Sequence, residues 1–267
     1  MGSNKYDERN TVNDLTGSEW KFSTKTVINK PYPINMQHKL RSEHGGQKPP
    51  ELCEDLIKIF TKRNDLILDP FMGVGGTLLG ASLCDRRAIG IDINSRWIEI
   101  YKQVTELENL QEQVTMEGDS MVKLDEIENE SVDFILTDVP YWNIDTLKKT
   151  RNKKIKQSKL NDFENHTQQQ TKEEWLEEMV NILKKSAEKL KEGKYMAVFI
   201  GDVYREKQYH FLSAELGLEL SKVEGLTMKS NIIWVDNSKS LHVFGYPRAY
   251  VPSMMHQNIL VFRKETI

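Results

Sequence analysis

The sequence predicts an α/β fold, a mostly parallel sheet with helices on both faces. Three observations lead there. Short apolar runs ending in acids alternate with helical stretches between Leu66 and Asp138, and strand–helix–strand spacing of this kind builds parallel βαβ units. A glycine-rich turn, Asp69-Pro-Phe-Met-Gly-Val-Gly-Gly-Thr77, follows the first run. The chain of 267 residues is long enough to bury a sizeable core in one large domain.

Taken in order, residues 1–43 are polar, carry Pro31 and Pro33, and show no sustained period. They read as an extended N-terminal arm, with the domain proper over 44–267. Pro49-Pro50 suits a helix start, and Leu52, Leu56, Ile57, Ile59 and Phe60 follow at helix spacing. Leu66 to Asp69 is a buried strand stopped by Pro70, and Thr77 to Ala81 is small and apolar enough for a helix packed tightly on a sheet. Ala88 to Asp92 is the second strand, about 96–107 a helix, Val114 to Glu117 the third strand, and Val132 to Asp138 the fourth. The 143–171 stretch carries Lys148, Lys149, Arg151, Lys153, Lys154, Lys156 and Lys159 and reads as a mobile basic loop. A long helix is expected over about 172–191, with Trp175, Met179, Ile182, Leu183 and Leu190 inward. A fifth strand, Tyr195 to Gly201, precedes a helix over about 206–216. Two last strands, Asn231 to Val235 and Asn258 to Phe262, flank a turn-rich insert at 236–257.

Lys and Arg number 37 against 40 Asp and Glu, a net charge of −3, which excludes a uniformly basic nucleic-acid coat but not a local patch. Cys53 and Cys84 are the only cysteines, so no metal site is expected and a reducing compartment fits. No apolar run approaches the roughly 20 residues of a membrane helix, and the polar start lacks a secretory core. A soluble cytoplasmic protein is expected.

Ligands of such sheets collect at the carboxyl ends of strands, where Asp69, Asp92, Asp119 and Asp138 all fall. In the turn, Gly73, Gly75 and Gly76 permit close backbone approach to a ligand, and a helix opening near Thr77 has free N–H donors. The loop is neither G-x-G-x-x-G nor G-K-[ST], the dinucleotide and triphosphate patterns. Backbone donors beside a carboxylate that can receive an ammonium suit an amino-acid-bearing nucleoside such as S-adenosylmethionine. Asp92 stands where an acid accepts from ribose hydroxyls, or else caps the next helix. Asp119 could take the adenine amine.

These pieces, with Gly90-Ile-Asp92 and Thr137-Asp-Val-Pro-Tyr-Trp142, resemble the amino-methylating, S-adenosylmethionine-dependent DNA methyltransferases, which act on adenine N6 or cytosine N4. His44-Gly-Gly-Gln-Lys48-Pro49-Pro-Glu-Leu52 is similar to the family's H-x-x-x-K-P-x-x-L element, and Tyr250-Val-Pro-Ser253 with His256 to Lys264 to its last hairpin. The resemblance implies a single Rossmann-like class I methyltransferase domain of seven strands, the last antiparallel. It implies S-adenosylmethionine held by Lys48, Pro49, Asp69, Pro70, Phe71, Gly73, Gly75, Gly76, Thr77, Asp92 and Asp119. It makes Asp138, Val139, Pro140 and Tyr141 the catalytic tetrad, departing at Val139 from the usual Pro-Pro pair.

An exocyclic amine is a poor nucleophile because its lone pair is delocalised into the ring. A carboxylate and the next residue's carbonyl, both accepting from that NH₂, pyramidalise it and aim it at the sulfonium methyl. Val139 can supply the carbonyl but lacks proline's fixed φ, and Tyr141 would stack on a base flipped out of the duplex. The expected partner is double-stranded DNA, gripped through Lys148, Lys149, Arg151, Lys153, Lys154 and Lys156, with a restriction endonuclease or second subunit as a further candidate. The chain ends soon after its last strand, so target recognition is expected from the 143–171 loop, the 236–257 insert and the arm. Asp138 favours adenine N6 over cytosine N4. RNA or protein amide methylation, and an inactive nucleic-acid-binding module, are the remaining alternatives.

Overall fold

The computed structural model describes residues 4–142 and 170–266. The basic run Lys148, Lys149, Arg151, Lys153, Lys154 and Lys156 lies outside the described residues.

The arm supplies α1 (Gly17–Ser23), β1 (Val27–Ile28) and α2 (His38–Arg41), and α3 (Pro50–Phe60) follows. The alternating core is β2 (Leu66–Asp69), α4 (Gly76–Leu83), β3 (Arg87–Asp92), α5 (Ser95–Leu107), β4 (Val114–Glu117), α6 (Ser120–Lys123) and β5 (Val132–Asp138). Then come α7 (Lys172–Lys189), β6 (Leu190–Ile200), β7 (Val203–Arg205), β8 (Gln208–His210), α8 (Leu212–Leu220), β9 (Leu226–Val235) and β10 (His256–Lys264).

The main sheet has the order β1-β9-β10-β6-β5-β2-β3-β4. Strands β2 to β6 pair in parallel, and β10 lies antiparallel between β6 and β9. Both faces are buried, because alternate residues of one strand feed opposite cores. Ile67 and Phe134 join Leu56, Leu79 and Val104 on one side, while Leu68 and Ile135 join Met179, Leu183 and Leu216 on the other.

Two expectations need correction. The arm is not simply extended: Thr16 and Glu19 form a capping box that starts α1, and β1 adds an eighth, parallel strand beside β9. Polar contacts lace it to the domain, with Asn13 Nδ2 donating to the Ile59 carbonyl at 2.6 Å and Arg86 paired with Asp14 at 3.1 Å. Such ties join residues far apart in the chain and leave no period. The helix expected from Glu206 begins only at Leu212, because Glu206 (φ 52°) and Lys207 (φ 64°) make a left-handed turn that closes the β7–β8 hairpin. Leu212, Leu216 and Leu220, all fully buried, carry the helical period instead.

The parallel strands deliver Asp69, Asp92 and Asp138 to one edge of the sheet. The segment between β9 and β10 springs from that same edge, since β10 runs back beside β9 and β6. Among the described residues no helix is long and apolar enough to cross a membrane.

Candidate active site

The glycine loop joins β2 to α4. Gly75, at φ 76°, is the residue before the helix, and a Cβ there would lie 2.2 Å from Cδ2 of Tyr101. Gly73, at φ 48°, leaves room for the His44 ring, whose Nε2 a Cβ would meet at 3.0 Å. Asp69 is buried at the floor, where its Oδ1 accepts from the Thr137 hydroxyl (2.6 Å) and the Phe71 N–H (3.1 Å). It has no ion pair among the described residues, and burial pushes its carboxyl up to about 6 against those hydrogen bonds. Thr77, at the first turn of α4, donates to the Leu136 carbonyl at 3.2 Å, tying the loop to β5.

Asp92 ends β3. Its two oxygens accept from the Gly73 and Asn94 N–H groups at 2.8 and 2.9 Å, and burial raises it to about 6. The cap of α5 is Asn94, which accepts from Arg96 N–H at 3.0 Å. Asp92 is therefore free of the capping task. Asp119 is not: exposed, it caps α6 by accepting from Met121 N–H at 2.8 Å. Its neighbour Ser120 donates to the Pro70 carbonyl, holding this corner beneath the loop.

Lys48 and Asp138 meet although 90 residues apart. Lys48 is buried, its ammonium paired with Asp138 Oδ2 and lying 5.3 Å from the centre of the Phe199 ring. Expected with the cofactor, Lys48 lines the same cleft as the glycine loop and turns its charged end onto the tetrad. Pro49 precedes α3, and the Lys48 carbonyl accepts from Arg41, a buried guanidinium whose Nε has no partner among the described residues. Asp138 is raised by burial, with Lys48 acting in the opposite sense. The Tyr141 hydroxyl donates to Asp138 Oδ1 at 3.2 Å.

The rigidity lost with proline at position 139 is supplied by packing. Val139 is fully buried, and Trp175 Nε1 donates to the Pro140 carbonyl at 2.8 Å. Trp142 donates to the Gln170 carbonyl at 3.0 Å and lies under the Arg205 guanidinium, 4.8 Å from its ring centre.

One cleft is lined by Lys48, Asp69, Phe71, Gly73, Gly76, Thr77 and Asp138 together with His44 and Phe199. Asp92 borders it through Gly73, Tyr141 through Asp138; Asp119 stands apart. Sequence reading missed Arg41, Phe199, Lys239 and Gln257. Lys239 is half-buried within electrostatic range of Lys48 and Asp138, and the Gln257 amide oxygen, near Tyr141, is buried without a partner among the described residues. No local signal marks these residues, which meet the tetrad only through sheet order.

The model of the N6/N4 DNA methylase family matches residues 3–103 and 132–267. The type II methyltransferase M2.DpnII of Streptococcus pneumoniae is 42% identical over 71 residues, 27% of this chain and 26% of that relative. A tRNA (guanine(10)-N2)-dimethyltransferase of Methanocaldococcus jannaschii is 34% identical over 132 residues, 45% of this chain and 36% of that relative. The matches thus span about a quarter to a third of those curated relatives. Among solved structures, TrmN from Thermus thermophilus shares the fold with a TM-score of 0.54 at 14% identity, covering 88% of this chain and 54% of that one. The chain belongs to the N6/N4 DNA methylase family, whose methyl donor is S-adenosylmethionine.

Proposed function

We propose that this chain transfers a methyl group from S-adenosylmethionine to the exocyclic amine of a base everted from double-stranded DNA, adenine N6 before cytosine N4. The observation that carries the reading is that the buried Asp69 of the glycine loop and the half-buried Asp138 of the tetrad line one cleft.

The donor fits this cleft on two counts. Asp69 is a buried carboxylate without a cation among the described residues, which an amino-acid ammonium would complete. His44 Nδ1 is buried without a hydrogen-bond partner among the described residues, an orphan a ligand would satisfy. Lys48, Pro49, Asp69, Pro70, Phe71, Gly73, Gly75, Gly76 and Thr77 form the cradle, with Asp92 on the ribose hydroxyls. Asp119, engaged as a helix cap, is the weakest member of this set. When bound, the donor supplies an electrophilic methyl on a sulfonium.

Asp138 and the Val139 carbonyl accept the amine hydrogens and draw the lone pair out of the ring plane. Lys48 must release Asp138 Oδ2 for the incoming amine, since its ammonium holds the place the NH₂ would take. Tyr141 stacks on the everted base, and Asp138, its acidity weakened by burial, is placed to take the proton shed by the methylated nitrogen. The segments 143–171 and 236–257 contact the duplex, the first through its basic run. A restriction endonuclease or second subunit would extend recognition.

A second reading, guanine-N2 methylation of RNA, is favoured by the Methanocaldococcus jannaschii relative. Radiolabelled methyl transfer to methylation-free duplex DNA and to tRNA separates the two. Label in DNA recovered as N6-methyladenine is expected; label in tRNA alone would overturn the proposal, and N4-methylcytosine would change the base.

A further inference from the structure

The segment between β9 and β10 forms a hairpin without a core of its own. Ser253 Oγ accepts from the His242 N–H at 2.8 Å and donates to the His242 carbonyl at 3.2 Å, and Phe244 and Val251 make an antiparallel bridge above them. At the apex the Gly245 carbonyl accepts from the Arg248 and Ala249 N–H groups, each at 2.8 Å. A Cβ on Gly245, at φ 74°, would sit 2.5 Å from the Ala249 oxygen. The backbone is thus hydrogen-bonded within itself, yet its largest side chains face water: Tyr246 is 80% and Tyr250 92% exposed, and Leu241, Val243 and Phe244 are at least half exposed. An apolar, aromatic cluster left outside a finished hairpin marks an interaction surface.

Charge and place identify the occupant. From Asn237 to Lys264 the chain has no acidic residue, while Lys239 and Arg248 lie in the hairpin and its base. Aromatic rings interleaved with cations are the chemistry of nucleobase stacking beside a phosphate backbone. The hairpin rises from the sheet edge that carries Asp138, and Lys239 at its foot feels the charges of both Lys48 and Asp138. Phe244, Tyr246, Arg248 and Tyr250 border an open cup on its surface.

We propose that this hairpin, 241–251, holds the duplex open: Phe244, Tyr246 and Tyr250 stack on the bases uncovered when the target leaves the helix, and Arg248 lies along the adjacent backbone. The inference rests on the DNA reading above and names its helix-opening element.

The test measures binding of the full chain to two short duplexes, one fully paired and one carrying a single mismatched 2-aminopurine. The variants are the triple substitution Phe244→Ser/Tyr246→Ser/Tyr250→Ser and, separately, Arg248→Gln, with melting curves confirming that each folds. The wild type is expected to bind the mismatched duplex more tightly and to quench its fluorescence. The triple variant is expected to lose that preference, weakening on the mismatched probe by roughly tenfold or more, and Arg248→Gln to lower the salt dependence of binding to both probes. Equal affinity of the wild type for both duplexes, or a preference unchanged in the triple variant, would overturn the proposal. So would a wild-type dimer that the triple variant dissociates with DNA binding intact, since the surface would then serve a second copy. Methyl transfer to DNA is scored separately: transfer without the mismatch preference removes the hairpin's role alone, while the preference without transfer removes the catalytic reading and leaves the hairpin.

Discussion

The two halves of the cleft are built in different ways. The side formed by β2 and β3 is local: Asp69, the glycines and Thr77 lie within nine consecutive residues, and Asp92 joins them through one hydrogen bond to Gly73. The side formed by β5, β6, β9 and β10 is assembled from afar. Asp138 there meets Lys48 from before α3, Phe199 from β6 and the charge of Lys239 from one foot of the hairpin, while Gln257 from the other foot reaches Tyr141. A constant ligand can be held by a contiguous loop. On the proposed function, a base drawn from a duplex needs groups converging from several directions.

The sharpest way to break this division is to remove Asp138. Asp138→Ala is expected to lower turnover by on the order of 10²- to 10³-fold or more, with donor affinity within a few-fold of wild type by calorimetry. A large loss of donor binding in this variant would merge the two halves.

Asp69→Asn probes the other side through stability. The folded-state pKa of Asp69, about 6, lies above its ordinary 3.8, so the fold prefers the protonated acid. That contribution is fully present below about pH 4 and is lost as pH rises through 6. The neutral amide should therefore stabilise the donor-free protein above pH 6 by up to about 3 kcal/mol, with the gap to wild type closing below pH 4 in melting curves. The same substitution should weaken donor binding, because the ammonium loses its carboxylate. A variant less stable than wild type at every pH would show that Asp69 serves the fold rather than the ligand.

Asp92→Ala is expected to cost about 1–3 kcal/mol of donor affinity, the price of unpaired hydroxyl donors. An unchanged dissociation constant would remove Asp92 from the cradle.

The smallest effect sharpens the Lys48 contact. The Lys48 ammonium opposes the upward push of burial on Asp138, whose other neighbours are Tyr141, Asp69 and Lys239. Lys48→Met should let Asp138 titrate at higher pH, moving the acid limb of the kcat/KM profile to the alkaline side. A limb that stays or moves toward acid would mean that Lys48 acts only on the donor.

What could be read in the sequence follows the same division. The βαβ order, the glycine loop and the acids at strand ends are short-range patterns, and β2, α4, β3 and β5 lie where those patterns put them. The long helix α7 was equally plain from Trp175, Met179, Ile182 and Leu183 at helical spacing. Less visible was whatever depends on distant pairing. β1 is two residues long and exists because β9 offers it an edge. The β7–β8 turn depends on two left-handed residues, Glu206 and Lys207, neither of which is a typical turn former. Lys48 illustrates the same limit inside the site: its motif was recognisable, yet its partner across the cleft was set by the tertiary fold.

The most direct measurement is a crystal structure with a non-transferable analogue of S-adenosylmethionine bound. The analogue's amino group should lie on the Asp69 carboxylate and its ribose on Asp92, with the position of the transferable methyl opening toward Asp138 and Tyr141. An analogue seated elsewhere, or one whose methyl position points away from Asp138 into solvent, would contradict the account.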